Sequence, residues 1–345
     1  MSEFNRGHVR ARSIKIIEGF AGEVHKIIQK RPNSTLSELS DKLDSGISKI
    51  KAAIELLREK GVLVEVTDDT VGLQKTLPVA SEWEPINVDK FTGKRIKWGV
   101  IADTHLCSKY CRLDVLNALF DIYEQDGIKE VFVLGNMIDG EFPHNKHDLL
   151  TAPGLESQTR YFIENWPKRS SITTKFLTGD DHEGWYVQSV GVDVGRYIED
   201  SAKQIGRTDL RYIGHMEYNM ELKAKNESTF VRMIHAGGGS SYATSYTSQK
   251  YVESLQGGEK PAVVLVGHFH KFEYGYPREV HVVQVGAVQD QTPWMRKKRI
   301  QTNVGGTTIS FELDRDGILH RFMPEFHPFY DRAFYKGTTW KYHWK

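Results

Sequence analysis

Apolar residues recur every three or four positions over residues 12–30, where Ile16, Ile17, Phe20, Val24, Ile27 and Ile28 share one helical face. Thr35 and Glu38 then form an S/T-x-x-E capping pattern that predicts the start of a short second helix. A third helix fits residues 47–60, with Ile47, Ile50, Ile54 and Leu57 turned inward and Gly61 at its end. Two β-rich runs, 62–66 and 71–73, flank the turn residues Asp68 and Asp69. Three helices followed by a hairpin is the order of a small winged helix-turn-helix domain, which is assigned here to residues 1–75.

Residues 76–95 have little periodicity and carry Pro78, Pro85 and Gly93, so they read as a linker. From Lys97 onward short apolar runs alternate with amphipathic helices. KWGVIAD, EVFVLG and TKFLTG read as strands, and residues 113–123 and 158–166 read as helices between them. PAVVLVG, EVHVVQVG and TTISFEL read as strands of a second sheet. The expected class for residues 96–345 is therefore α/β, a two-sheet β-sandwich flanked by helices, with functional loops at strand C-termini.

The 345 residues leave ample material for a core, and 39% hydrophobic with 26% charged residues is the balance of a soluble globular chain. A formal net charge of +1 excludes a global field directed at a polyanion, so any such partner must be met by local patches. The N-terminal stretch is polar and basic, and no run approaches the roughly 20 apolar residues of a membrane span. No membrane partner is expected. Cys107 and Cys111 have no further cysteines with which to complete a metal cage and read as incidental; a reducing, cytoplasmic location is the expectation.

Several strand-like runs end in residues that ligate metals. The first ends in Asp103-Thr104-His105, the next in Gly135-Asn136-Met137-Ile138-Asp139, and the third in Gly179-Asp180-Asp181-His182-Glu183. His235 and the pair His268 and His270 follow two later runs. On an extended chain, D-x-H and H-x-H would point both side chains the same way. Mixed imidazole and carboxylate donors suit Mn, Fe, Zn, Ni or Co better than calcium. One D-x-H is commonly incidental; five ordered clusters are not.

In that order the clusters resemble the calcineurin-like metallophosphoesterases, over about residues 97–325. The ADTHL and GHFHK segments are similar to the repair-exonuclease branch. The resemblance implies two divalent metal ions, Mn2+ first and Fe, Zn, Ni, Co or Mg as alternatives. Asp103, His105 and His270 would hold one, Asp181, His235 and His268 the other, and Asn136 would bridge them. His182 would be the catalytic group facing the phosphate or leaving group, oriented by Asp139, while Glu183 reads as structural. A positioned general acid contributes about 10² to 10⁴ in rate. Two positions depart from the family, which usually has Asp at the bridge and Asn where Asp181 stands. The carboxylate count is thereby kept, and Asn136 reads either as a natural exchange compensated by Asp181 or as an engineered one.

The function expected is phosphodiester hydrolysis of DNA or RNA. The alternatives are a phosphatase or phosphodiesterase for a small nucleotide or phosphoprotein, and a nucleic-acid-binding scaffold with a weakened site. His144 and Asn145, in the loop after Asp139, and Tyr242, after the Gly237–Gly239 run, are candidate substrate contacts. Lys49, Lys51 and Arg58 on the third helix are candidate nucleic-acid contacts, with Arg6, Arg10, Arg12 and Lys15 upstream. A protein partner for the same module is the competing reading. The basic run Arg296–Arg299 beside Trp294 reads as a solvated loop with a possible backbone-contact role.

Overall fold

The computed structural model describes residues 17–141, 149–239, 241 and 243–329. The described residues open with α1 (Gly19–Lys30), β1 (Ser34–Thr35), α2 (Leu36–Leu43), α3 (Ile47–Glu59), β2 (Val64–Thr67) and β3 (Thr70–Leu73). Helix α1 buries Ala21, Val24, His25 and Ile28; of the expected stripe only Val24 and Ile28 are fully buried, Ile17, Phe20 and Ile27 pack half-buried against this core, and Ile16 lies outside the described residues. Thr35 caps α2 reciprocally: its hydroxyl accepts from the Glu38 N–H at 3.1 Å, and the Glu38 carboxylate accepts from the Thr35 N–H at 2.8 Å. Helix α3 packs inward through Ile50, Ala53, Ile54 and Leu57. Ile47 does not join them; it sits in the first turn, 45% exposed, where the helix has not yet reached the core. The three strands pair in the order β1-β3-β2.

The remainder is a mixed α/β body of two six-stranded sheets. The first contains β5 (Arg95–Ile101), β6 (Glu130–Leu134), β7 (Thr173–Thr178), β8 (Leu210–His215), β14 (Gly305–Leu313) and β15 (Leu319–Pro328), in the order β15-β14-β5-β6-β7-β8. The second contains β4 (Glu84–Asn87), β9 (Glu217–Lys223), β10 (Ser228–His235), β11 (Val263–Gly267), β12 (Phe272–Gly275) and β13 (His281–Val285), in the order β12-β13-β11-β10-β9-β4. Strands β5 to β8 run parallel, as do β10, β11 and β13.

Alternation along β6 explains the layering. Phe132 and Leu134 enter the core between the sheets with Trp98, Leu177, Met233 and Leu265. Val131 and Val133 face the other way, into a second core beneath α4 (Leu113–Gln125), α5 (Leu155–Asn165) and α7 (Val194–Gln204). A strand buried on both faces reads as a continuous apolar run, as EVFVLG does. The outer face of the second sheet is covered by α8 (Tyr246–Ser254), with Val252 against Ile234, Val264 and Val266.

Three expectations are corrected. TTISFEL lies in β14, which pairs antiparallel with β5 in the first sheet rather than joining the second. Within the segment read as a linker, Glu84–Asn87 forms β4, parallel to β9 at the sheet edge. The basic run after Trp294 lies on a short helix, α9 (Pro293–Lys298), capped by the Thr292 hydroxyl, instead of a loop. The N-terminal module packs on the body near α6 (Trp185–Val190): the Leu63 N–H donates to the Gly191 carbonyl at 2.6 Å. Among the described residues no helix is long and apolar enough to cross a membrane.

Candidate metal centre

Parallel strands with their C-terminal ends on one side gather the candidate residues. Asp103, Asn136 and Asp181 follow β5, β6 and β7, His235 closes β10, and His268 follows β11. The two sheets thus deliver their polar strand ends to one edge of the sandwich, the usual place for a site in such folds.

The local backbone differs from the extended chain expected for D-x-H and H-x-H. Asp103, His105, Asn136, His182, His268 and His270 all have positive φ, between 44° and 86°. Non-glycine residues seldom adopt this left-handed conformation, and its clustering at one edge marks a site where surrounding contacts over-determine the backbone. Asp103 and His105 are both left-handed and separated by Thr104, whose hydroxyl donates to the Met137 carbonyl at 2.9 Å. Side chains two apart therefore converge through a turn held by the neighbouring loop.

Asp103, His105 and His270 bring one donor atom each within 4.8 Å of one another, and Asp181, His235 and His268 do the same. A third grouping joins His105, Asp139 and His182. The outer ring nitrogens set the tautomers. His235 Nδ1 donates to the Leu134 carbonyl at 2.7 Å, and His268 Nε2 donates to the Gly238 carbonyl at 2.7 Å. This turns His235 Nε2 and His268 Nδ1 towards Asp181, at 3.4 and 3.6 Å. His105 Nδ1 donates to the Asp139 carboxylate at 3.0 Å, leaving its Nε2 3.3 Å from His270 Nε2. An imidazole whose far nitrogen donates to a carbonyl or carboxylate is the arrangement of a metal-ligating histidine.

The fit to a metal shows in what is left unpaired. Asn136 Oδ1, Asp181 Oδ1, His235 Nε2 and His268 Nδ1 are buried polar atoms with no hydrogen-bond partner. Leaving such an atom unpaired costs about 1–3 kcal/mol, and so many at one edge calls for an ion. The donor chemistry, imidazole nitrogen with carboxylate oxygen, fits a divalent transition metal.

Electrostatics within the cluster run in opposite directions. Burial raises the Asp103 carboxyl to about 6, although His235 and His268 pull it down. Burial also acts to raise Asp181, but the close approach of His235 and the charges of His182 and His268 outweigh it and hold it well below the usual range. His235 is pushed down by burial and, more strongly, up to about 10 by Asp181 and Asp103. His270 is held well below 6.5, first by burial and then by the neighbouring His105.

His182 lies half-buried beside the first group, its ring centroid 4.3 Å from that of His105. Its Nδ1 donates to the Asp139 carbonyl at 2.8 Å and lies 3.4 Å from the Asp139 carboxylate. Glu183 is fully buried and accepts the N–H groups of Asn136 (2.7 Å) and Gly179 (3.0 Å), tying the loops after β6 and β7 together.

His144, Asn145 and Tyr242 lie outside the described residues, as do Arg6, Arg10, Arg12 and Lys15. Lys49, Lys51 and Arg58 are exposed on α3. The Lys49 ammonium sits over the Phe20 ring at 4.2 Å, and Arg58 binds Glu55 at 2.7 Å and the Val64 carbonyl at 3.0 Å. Cys107 and Cys111 are free thiols; burial raises both, Cys107 to about 12, which suits inert packing groups. Sequence reasoning missed the Leu134 and Gly238 carbonyls, since a backbone acceptor leaves no residue-type signal. It also missed Gly179, where a Cβ would lie 2.6 Å from His235 Cδ2 and 2.9 Å from Asn136 Oδ1.

No protein-family model matches the chain, and no curated protein sequence does. Solved structures do share parts of its shape. A novel archaeal phosphodiesterase is 12% identical, with 67% of this chain and 100% of that one covered and a TM-score of 0.35. A hypothetical protein from Pyrococcus horikoshii is 14% identical over 70% and 91% of the two chains, with a TM-score of 0.35. Vps29 from Entamoeba histolytica, complexed with zinc, is 11% identical over 68% and 99%, with a TM-score of 0.33. These likenesses are remote.

Proposed function

We propose that this chain is a metal-dependent phosphoesterase of the calcineurin-like superfamily, acting on phosphodiesters of DNA or RNA. The observation that carries the reading is the pair of Asp-His-His groups at one edge of the sandwich, with His182 held beside them by Asp139. Asp103, His105 and His270 would ligate one ion, Asp181, His235 and His268 the other, and Asn136 stands between the two groups. Mn2+ suits this donor set, with Fe, Zn, Ni, Co or Mg as alternatives.

Divalent cations bound there supply Lewis acidity towards a phosphoryl oxygen and acidify water near neutral pH. His182 supplies the proton. With Nδ1 donating to the Asp139 carbonyl, Nε2 is the atom that hands a proton to a departing oxygen. Asp139 holds both His105 and His182, so one carboxylate orients a ligand and the acid together.

The nucleic-acid part of the reading rests on the N-terminal module. Its helix–strand–helix–helix–hairpin order and its β1-β3-β2 sheet support a winged helix, and α3 exposes Lys49 and Lys51. A second reading has its own observation: Arg58 is spent on Glu55 and Val64, while Ile47 and Leu56 are exposed on the same helix, which suits a protein partner and a small-nucleotide or phosphoprotein substrate.

The test is hydrolysis of bis-p-nitrophenyl phosphate, p-nitrophenyl phosphate and labelled single- and double-stranded DNA and RNA, with Mn2+ and with EDTA. Metal-dependent cleavage of the diester and of a nucleic acid is expected. Cleavage of the monoester alone would move the assignment to the second reading, and inactivity on every substrate would overturn both.

A further inference from the structure

The two Asp-His-His groups are not equivalent, and Asn136 is the reason. Its amide nitrogen donates to Asp103 Oδ1 at 3.1 Å, and the reverse orientation would oppose two oxygens there. That leaves Oδ1 as its single ligand atom, aimed the other way. A Cβ built on Gly179 would lie 2.8 Å from His235 Nε2 and 2.9 Å from Asn136 Oδ1, so the two atoms border the same small space. An uncharged amide fixed in this way serves one group and cannot bridge both.

The histidines add a second asymmetry. His235 and His268 each donate their far nitrogen to a backbone carbonyl. In the other group only His105 has such a partner, and the far nitrogen of His270 is buried with none. The donor atoms of that group are also engaged: His105 Nε2 and His270 Nε2 face each other at 3.3 Å, and Asp103 accepts from Asn136 and from the His268 N–H at 2.7 Å. A third difference is solvation. Asp103, His105 and His270 are almost fully buried, whereas the Asp181 side chain is 33% exposed. One carboxylate leaves a divalent ion with net positive charge, which is harder to hold where water is excluded.

Resting on the metallophosphoesterase reading, we propose that Asp181, His235 and His268, completed by the Asn136 amide oxygen, form the tight metal site and fill first. The Asp103–His105–His270 group fills only at higher metal concentration. The chain would accordingly pass through a singly loaded state over a broad range of metal supply.

Calorimetric titration of the metal-stripped full chain with Mn2+, with metal analysis after dialysis, tests this without reference to activity. The first equivalent is expected to bind at least about 10-fold more tightly than the second, in keeping with the 10–100-fold effect of such outer contacts. His268→Ala should abolish the tight phase and His270→Ala should keep it. Asn136→Asp, nearly isosteric and able to reach both groups, should bring the second equivalent closer to the first. Two equivalents of equal affinity in the unaltered chain would overturn the proposal. So would a tight phase lost in His270→Ala and kept in His268→Ala. Absence of any binding would overturn the metal reading itself, a separate and distinguishable failure.

Discussion

His25 on α1 donates from Nε2 to the carbonyl of Val190 at 2.8 Å, joining positions 165 residues apart at the seam between the N-terminal module and the body. Val190 ends α6, the helix that directly follows the His182–Gly184 turn, so the seam lies one short helix away from the candidate acid. The imidazole is buried, and burial holds its pKa below 6.5 despite the bond to Val190.

A pH dependence of stability follows from that lowered value. Well above pH 6.5 His25 is neutral in both folded and unfolded chains and contributes no slope. As the pH falls from 6.5 towards the folded value, the unfolded chain takes up a proton that the folded chain refuses, and stability drops. Urea denaturation from pH 7.5 to 5 should show His25→Gln losing part of the slope present in the parent. His25→Ala, which also strands the Val190 carbonyl, should cost about 2 kcal/mol at pH 7.5.

His182→Ala should lower turnover of a phosphodiester by about 10² to 10⁴ while metal content stays at the parent level. Metal analysis and steady-state rates on the same preparation separate the two effects. Unchanged turnover would remove His182 from the acid role.

Gly179→Ala should disturb the centre without disturbing the fold. The added methyl would press on His235 and on the Asn136 oxygen, both fixed by other contacts. Metal affinity is expected to fall by about 10-fold or more, read by titration, with a far-ultraviolet spectrum like that of the parent.

Thr35→Ala provides a contrast remote from the chemistry. Loss of the reciprocal cap on α2 should cost about 1 kcal/mol in a thermal or urea melt, with no change in metal binding.

How much of this was legible in the sequence depends on the range of the interactions involved. The α2 cap and the α1 stripe are local: Thr35 and Glu38 lie one helical turn apart, and Val24 and Ile28 repeat with the helical period. The β6 run is apolar on both faces, so its burial could be read directly, and the polar residues after it marked a strand end. Those terminal residues could be named as candidates because parallel strands send their C-termini to one edge. Ile47 misled because periodicity assigns a face to every turn, including a first turn that the core does not reach.

Tertiary structure alone decided the rest. TTISFEL and Glu84–Asn87 took their places by pairing with β5 and β9, partners far away in sequence that no local pattern identifies. The left-handed backbone at Asp103, His105, His268 and His270 depends on loops from other strands holding it there. The tautomers of His235 and His268 were set by the carbonyls of Leu134 and Gly238, groups every residue carries. Residue types along the chain determined which atoms could bind a metal; only packing at long range determined which way Asn136 and each imidazole would turn.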